Sequence, residues 1–400
     1  MKSPCIAIDV SKGGSHVRSF LKQDTEYGKL FKIDHDKEGF EKLMDRYEEL
    51  KDVSGHEVIF IFEATGVYHK SLQHFLELNK KNYYIISPLQ SAKQRKLDLR
   101  AAKTDKLDPI NIAKVYYNQE LKKATHKDDI YDELKQLSRY YETQLDSFIK
   151  VKVNYRESLD GVFPLLDKSF DVYDPCIIAL IQKYHHPENI IHHQESTIIR
   201  YLQKKVNHGN SYIKKLVSSF TAYCNGCIAG CSKDDIAVEI LLKQLETVLY
   251  FQERIEHTLQ RMEELAMTLN EYKLLCSIPG IGANLATRLL AEIGDINRFD
   301  NSKQLTAYAG IDPIIYQSGK NEGLHYQISK KGNKNLRKLL YLAIVCNLRS
   351  KTKSNTIKDY YKKKKQQANP MNSHAAYFAC ANKLLRIIIG MCKTKSLYNV

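Results

Sequence analysis

Four hundred residues, 43% hydrophobic and 27% charged, are chain enough for two or three domains and exclude a lone small binding module. The formal charge is +15; residues 271–400 hold 22 basic against 7 acidic side chains, while residues 1–270 balance at 39 against 39. An excess confined to the last third points to a polyanion partner, with nucleic acid ahead of an acidic membrane surface because no amphipathic or lipidated anchor is visible.

Residues 1–126 read as α/β. Cys5 to Val10 is a short apolar strand carrying Asp9 near its end, His16 to Leu21 and Tyr27 to Ile33 continue a meander, and Glu38 to Glu49 is helical. Val58 to Phe62 forms a second buried strand ending at Glu63, followed by Ala64-Thr65-Gly66, a helix from Lys70 to Leu78, and a strand from Tyr83 to Ile86. Strands alternating with helices imply a central sheet covered by helices.

Residues 127–270 change character. Leu137, Tyr141, Gln144, Phe148, Val151 and Tyr155 step by four and three, as do Leu241, Leu245, Val248, Gln252, Ile255, Leu259, Met262 and Ala266. Two such seams predict a coiled-coil arm that mediates subunit contact, or two amphipathic helices packed within one domain. Residues 271–400 are again compact, with Ile278-Pro279-Gly280-Ile281-Gly282 before a helix, a turn-rich segment through Gly323, and helical patterns near 333–349, 354–367 and 373–392. The longest apolar run, Leu384 to Met391, is broken by Arg386 and Gly390, so no membrane span is expected. Met1-Lys2-Ser3-Pro4 leads straight into a strand pattern without a secretory signal, which predicts a cytoplasmic chain whose nine cysteines stay reduced.

Four carboxylates stand out. Asp9 and Glu63 close strands at the sheet edge where α/β sites form, and Lys103-Thr104-Asp105-Lys106-Leu107-Asp108 offers Asp105 and Asp108 one helical turn apart. Together they would suit Mg²⁺, a hard cation that prefers oxygen ligands; singly, an Asp closing a strand is a turn former and Asp108 before Pro109 a helix start. Gly280 and Gly282 resemble the turn of a helix-hairpin-helix element, whose amides approach a DNA phosphate, or serve as a tight turn between packed helices. Ser318 lies in Gln317-Ser318-Gly319-Lys320, followed by Lys330, Lys331, Lys334, Arg337 and Lys338, a cationic surround for nucleic acid. Cys224, Cys227 and Cys231 have metal-like spacing, but no second pair completes a zinc set, and buried thiols are the favoured reading.

In order and spacing these fragments resemble the DEDD transposases of one bacterial insertion-sequence family, described as bridge-RNA-guided serine recombinases. The residues that carry the resemblance are Ala7-Ile8-Asp9-Val10-Ser11-Lys12, Phe62-Glu63-Ala64-Thr65-Gly66, Lys103-Thr104-Asp105 with Asp108, and Ile278-Pro279-Gly280-Ile281-Gly282. They continue through Ala309-Gly310-Ile311-Asp312-Pro313, Gln317-Ser318-Gly319-Lys320 and Ile328-Ser329-Lys330-Lys331-Gly332-Asn333 with Leu336-Arg337. The resemblance implies a RuvC-like (RNase H-like) α/β domain at 1–126, a helical coiled-coil arm at 127–270 and a mostly α transposase domain at 271–400. It also implies Ser318 as nucleophile, Mg²⁺ on Asp9, Glu63, Asp105 and Asp108, donor and target DNA as substrates, a structured non-coding RNA as guide, and a homo-oligomer, dimer or tetramer. Asp9 and Ser318 fall in different segments, which makes a composite site from two subunits an expectation too. Pro109 departs from the family pattern, which has a small residue there. A Holliday-junction resolvase-like nuclease, using only the four carboxylates and water, is the competing enzyme, and a basic scaffold without activity is the third reading.

Overall fold

The computed structural model describes residues 2–95, 107–121, 129–314, 317–318, 321–322, 327–351 and 355–399. They divide into two compact units, residues 1–127 and 128–400.

The first unit is built on a five-stranded mixed sheet. β1 (Cys5–Val10), β2 (Gly14–Lys22) and β3 (Thr25–Asp34) form the antiparallel meander, while β4 (Ile59–Glu63) and β5 (Tyr83–Ile86) run parallel to β1, in the order β3-β2-β1-β4-β5. Crossovers between parallel strands need a helix. α1 (Lys37–Ser54) precedes β4 and α2 (His69–Leu78) precedes β5; α3 (Pro88–Arg95) and α4 (Asp108–Asn118) follow. β1 is apolar on both faces: Ile6, Ile8 and Val10 join Phe60 and Phe62 in one core, while Cys5 and Ala7 join Ile61 and Ile112, Ala113, Val115 and Tyr116 of α4 in the other.

The second unit is helical apart from one short hairpin. α5 (Asp129–Val162) leads to α6 (Leu166–Ser169), α7 (Pro175–Tyr184), α8 (Pro187–Ile191), α9 (Glu195–Lys205) and α10 (Asn210–Gly226), and the chain returns along α11 (Ile236–Met267). Tyr155 and Leu159 of α5 share a core with Leu241, Leu245 and Val248 of α11, and Leu134 and Tyr141 share a second core with Met262 and Ala266. The two seams therefore meet each other within the chain, antiparallel, as in the intradomain reading of the pattern. Subunit contact through Leu245 is not what the fold uses it for: it is buried inside the core of its own chain.

α12 (Asn270–Cys276), α13 (Ala283–Ile293), α14 (Ser302–Ala309), the hairpin β6 (Gln317–Ser318) and β7 (Asn321–Glu322), α15 (Lys334–Arg349), α16 (Thr356–Gln366) and α17 (Ser373–Thr394) complete the unit. Their core contains the proximal ends of α5 and α11, so a division at residue 270 runs through shared packing. α17 is long and apolar enough to cross a membrane by composition, but Ala376, Cys380, Leu384, Leu385 and Ile388 are buried within the unit.

Candidate active site

In the first unit, backbone geometry sets two of the four carboxylates side by side. Ile8 pairs with Phe62 in the parallel β1–β4 ladder, so Asp9 and Glu63, the next residues, stand side by side at the carboxyl ends. Strand alternation puts both on the face that carries Ala7 and Ile61, the face covered by α4. The Tyr117 hydroxyl, near the end of α4, donates to the Ser3 carbonyl at 3.4 Å, which fixes that end of α4 beside the start of β1. Helix and strand therefore run in opposite senses, which puts Asp108 at the end of α4 nearer the carboxyl end of β1.

Pro109 fits because the helix begins at Asp108 and places the proline in the first turn, where its missing N–H has no acceptor to lose. Asp108 is buried and pairs with Arg95, whose Nη1 lies 3.2 Å from its Oδ1. Asp105 lies outside the described residues. The donor set of Asp9, Glu63 and Asp108 is all oxygen, the chemistry that suits a hard divalent cation. Among the described residues, the three potential ligands lying within 4.8 Å of one another are instead Asp174, Cys176 and His208 of the second unit.

The second unit presents Ser318 on a hairpin. Pro313 bridges Ile328, Ile314 N–H donates to the Gln327 carbonyl at 2.8 Å, and Ser318 pairs with Asn321; Gly319 and Lys320, between them in sequence, lie outside the described residues. The root of this hairpin is closely tied. Ser329 donates to Asp312 twice, from its amide to the carbonyl at 2.9 Å and from Oγ to Oδ1 at 2.6 Å. Lys330 N–H reaches the Gly310 carbonyl at 3.0 Å, and Asn333 N–H the Tyr308 carbonyl at 2.7 Å. Gly310 has φ +66°, and a Cβ there would lie 2.7 Å from Gly332 N, so the two glycines let the chain cross itself.

Beneath the root sits a buried polar network. Glu292 of α13 is 1% exposed; its carboxylate accepts from Arg139 Nη2 at 2.9 Å and Asn333 Nδ2 at 2.7 Å, and its carbonyl accepts from the Tyr308 hydroxyl at 3.3 Å. Burial pushes the Tyr308 phenol up, but the charges of Lys135 and Arg298 and hydrogen bonds from Arg298 and Asn333 outweigh it and hold it below its usual range. Glu292, Arg139 and Tyr308 escaped the sequence reading; the one signal was a carboxylate inside the apolar stretch Leu289-Leu290-Ala291-Glu292-Ile293.

Two of the residues expected at nucleic acid also have partners within the chain. Gly280 has φ +84°, and a Cβ there would lie 2.5 Å from the backbone of Asn347, whose Nδ2 donates to the Pro279 carbonyl at 2.6 Å, so a glycine at this position lets α15 approach. Arg337 donates from Nη1 to the Ala309 carbonyl at 2.8 Å. Gly282 caps α13 with no heavy atom within 4 Å of an added Cβ, so its amide end remains open. Lys330, Lys331, Lys334 and Lys338 are exposed, the last paired with Glu142 at 2.7 Å. Cys224 is buried, and Cys231 offers its carbonyl to His186 at 3.1 Å.

Comparison with known proteins places these features. One family model, described as a transposase, matches residues 6–164, and a second, for transposases of the IS116/IS110/IS902 family, matches residues 272–362. The chain is 22% identical over 246 residues to an uncharacterised protein of insertion element IS116 from Streptomyces clavuligerus, covering 61% of this chain and 59% of that one. It is 32% identical over 139 residues to the transposase of element IS1111A from Coxiella burnetii (35% of this chain, 37% of the relative), and 34% identical over 93 residues to the pilin gene-inverting protein of Moraxella bovis (23% and 29%). These matches span less than two thirds of each relative's length. With both models matched in order across more than half of its residues, the chain belongs to the IS110/IS116/IS902 transposase family.

Proposed function

We propose that the chain is a DNA transposase, a recombinase of an insertion sequence that cuts and rejoins strands through a phosphoserine intermediate on Ser318. The observation that supports the reading is the β1–β4 register that sets Asp9 and Glu63 side by side at the carboxyl ends of two parallel strands, in a chain with both matched transposase regions. The mixed sheet, with α4 laid across one face, supports a RuvC-like first unit.

Asp9, Glu63, Asp108 and Asp105 would hold Mg²⁺, which when bound neutralises and orients the scissile phosphate. The Ser318 hydroxyl gives up its proton as its oxygen attacks phosphorus. One P–O bond forms, the P–O bond to the deoxyribose oxygen breaks, and that oxygen takes a proton. One phosphoester replaces another, so the reverse attack by a new strand's hydroxyl reseals the DNA without an outside energy source. Exposed Lys330, Lys331 and Lys334 beside the hairpin root offer charge to the phosphate backbone. Recognition of sequence would fall to a structured RNA that pairs with donor and target DNA, with a homo-oligomer as the working assembly.

The test is a denaturing gel of end-labelled element-end DNA, guide RNA and Mg²⁺. Wild type gives a slow, protease-sensitive band and Ser318→Ala gives neither band nor cleavage, while still binding DNA. Cleavage by Ser318→Ala at the wild-type rate overturns the serine mechanism. The same carboxylate pair would then favour a resolvase-like nuclease acting through water.

A further inference from the structure

Residues Ala379, Asn382, Lys383, Arg386 and Ile387 recur on α17 at intervals of three, four and seven, which sets them along one stripe of the helix. The opposite stripe, Cys380, Leu384 and Ile388, is buried in the core. With Tyr360 of α16 the first stripe lines a groove of about 320 Å³. Its chemistry is one-sided. Lys383 Nζ lies 4.8 Å and Lys364 Nζ 5.4 Å from the centre of the Tyr360 ring, Arg386 is exposed at the wall, and no acidic side chain lines the groove.

Among the described residues, none of these three cations is within salt-bridge distance of a carboxylate. Like charges brought together without counter-charge repel one another, and the ring offsets part of that cost by attracting both ammoniums. Such an arrangement is a preformed seat for a polyanion, and Ala379, Ile387 and Tyr360 add an apolar strip against which a sugar or base can lie.

The groove is also joined to the hairpin. Asn382, in its lining, accepts from Thr306 Oγ1 at 3.0 Å and donates from Nδ2 to the carbonyl of Ile311 at 3.4 Å. Ile311 immediately precedes Asp312, at the root of the segment that carries Ser318. A strand lying in the groove is thereby held next to that root, and in a chain of a transposase family the polyanion that must reach it is DNA.

We propose that the α16–α17 groove seats the phosphodiester backbone of the DNA strand beside the phosphate that the Ser318 hairpin attacks, with Lys364, Lys383 and Arg386 as the phosphate-binding cations. The position relative to the reacting phosphate rests on the reading of Ser318; the affinity of the groove for DNA does not.

The test uses the full chain with Lys364→Gln, Lys383→Gln and Arg386→Gln combined, measured by fluorescence anisotropy on a labelled DNA duplex and on an RNA of equal length across a series of KCl concentrations. Every phosphate that goes unneutralised makes the slope of log K against log salt shallower by about 0.9, so the slope on DNA should fall by about 2–3. DNA affinity should fall about tenfold or more near physiological salt, with an unchanged melting temperature. Unchanged DNA affinity and slope overturn the proposal, and weakened RNA binding with DNA unaffected overturns it too, because the groove then serves RNA. The Ser318 reading stands or falls separately: cleavage by Ser318→Ala would remove it without altering the salt slopes.

Discussion

Gly280 and Gly282 sit two residues apart in one turn, yet the structure predicts opposite responses to the same added methyl group. At Gly280 an alanine must adopt φ +84°, a left-handed conformation that costs an L-residue about 1–2 kcal/mol. Its Cβ would also fall 2.5 Å from Asn347 N and Cα and 2.6 Å from the Cys346 carbonyl carbon, helix backbone with no flexible end to swing aside. Forced overpacking of this kind costs about 1–3 kcal/mol, and pushing α15 away breaks the Asn347–Pro279 hydrogen bond, worth about 1 kcal/mol. The sum is about 3–6 kcal/mol, roughly 6–24 °C at about 2–4 °C per kcal/mol. Gly282→Ala meets nothing, and the small cost at a helix N-cap is offset by reduced freedom of the unfolded chain, so it should stay within about 0.5 kcal/mol. Circular dichroism melts of the two variants decide. If Gly280→Ala melts within about 2 °C of wild type, the turn yields and the packing role assigned to Gly280 is wrong.

Three further outcomes rest on other parts of the fold. Burial pushes the Glu142 carboxyl up, but Lys338 and Arg288 overcome this and hold it below its usual value, so its contribution to stability is complete above about pH 4.5 and fades as pH falls through the lowered value. Glu142→Gln should therefore lower the unfolding free energy read from urea denaturation at pH 7 by about 3–5 kcal/mol, because buried Arg288 loses its carboxylate, with the gap to wild type shrinking at pH 3; a gap unchanged by acid contradicts the pairing. Asp9→Asn and Glu63→Gln each remove one charge from a mutually repelling set, so melting should stay within about 1 kcal/mol of wild type while recombination in Mg²⁺ disappears; normal recombination by either variant refutes the carboxylate site. Leu245→Asp puts a charge into the core where α5 and α11 meet and should destabilise the arm by about 3 kcal/mol or more at any protein concentration; a shift to smaller species in sedimentation with unchanged melting would return the seam to subunit contact.

What the sequence made legible was what local pattern can encode. Apolar runs marked β1, β4 and β5, because strands buried on both faces cannot hide their composition, and the last three helices fell within a few residues of their expected bounds. Asp9 and Glu63 were recognisable as strand-ending carboxylates, but their register and shared face belong to a pairing across more than fifty residues that no local signal specifies. The heptad seams were visible while their partner was not, since an apolar stripe states what it must bury against only as a chemistry, never as an address. The structural partners of Gly280 and Arg337 were hidden for the same reason. A glycine in a tight turn and an arginine in a basic run look functional until the backbone of Asn347 or the carbonyl of Ala309 is found beside them.

The hairpin and its root divide labour in a way that bears on how Ser318 could act. Two residues per strand give too short a ladder to hold a fixed orientation alone, so the hairpin's direction is set where it leaves the core. There the Gly310–Gly332 crossing, the double Ser329–Asp312 bond and Asn333 on Glu292 combine in one place. Asn333 has two roles: its Oδ1 caps α15 through Asn335 and Leu336 N–H while its Nδ2 bonds the buried carboxylate, so the return strand is fixed to α13 and α15 at once. In-line attack on phosphorus loses orders of magnitude in rate from an ångström of misplacement. If Ser318 acts as proposed, loosening that root, by Asn333→Ala for example, should lower strand cleavage on the denaturing gel before it lowers the melting temperature of the unit; unchanged cleavage would refute the link.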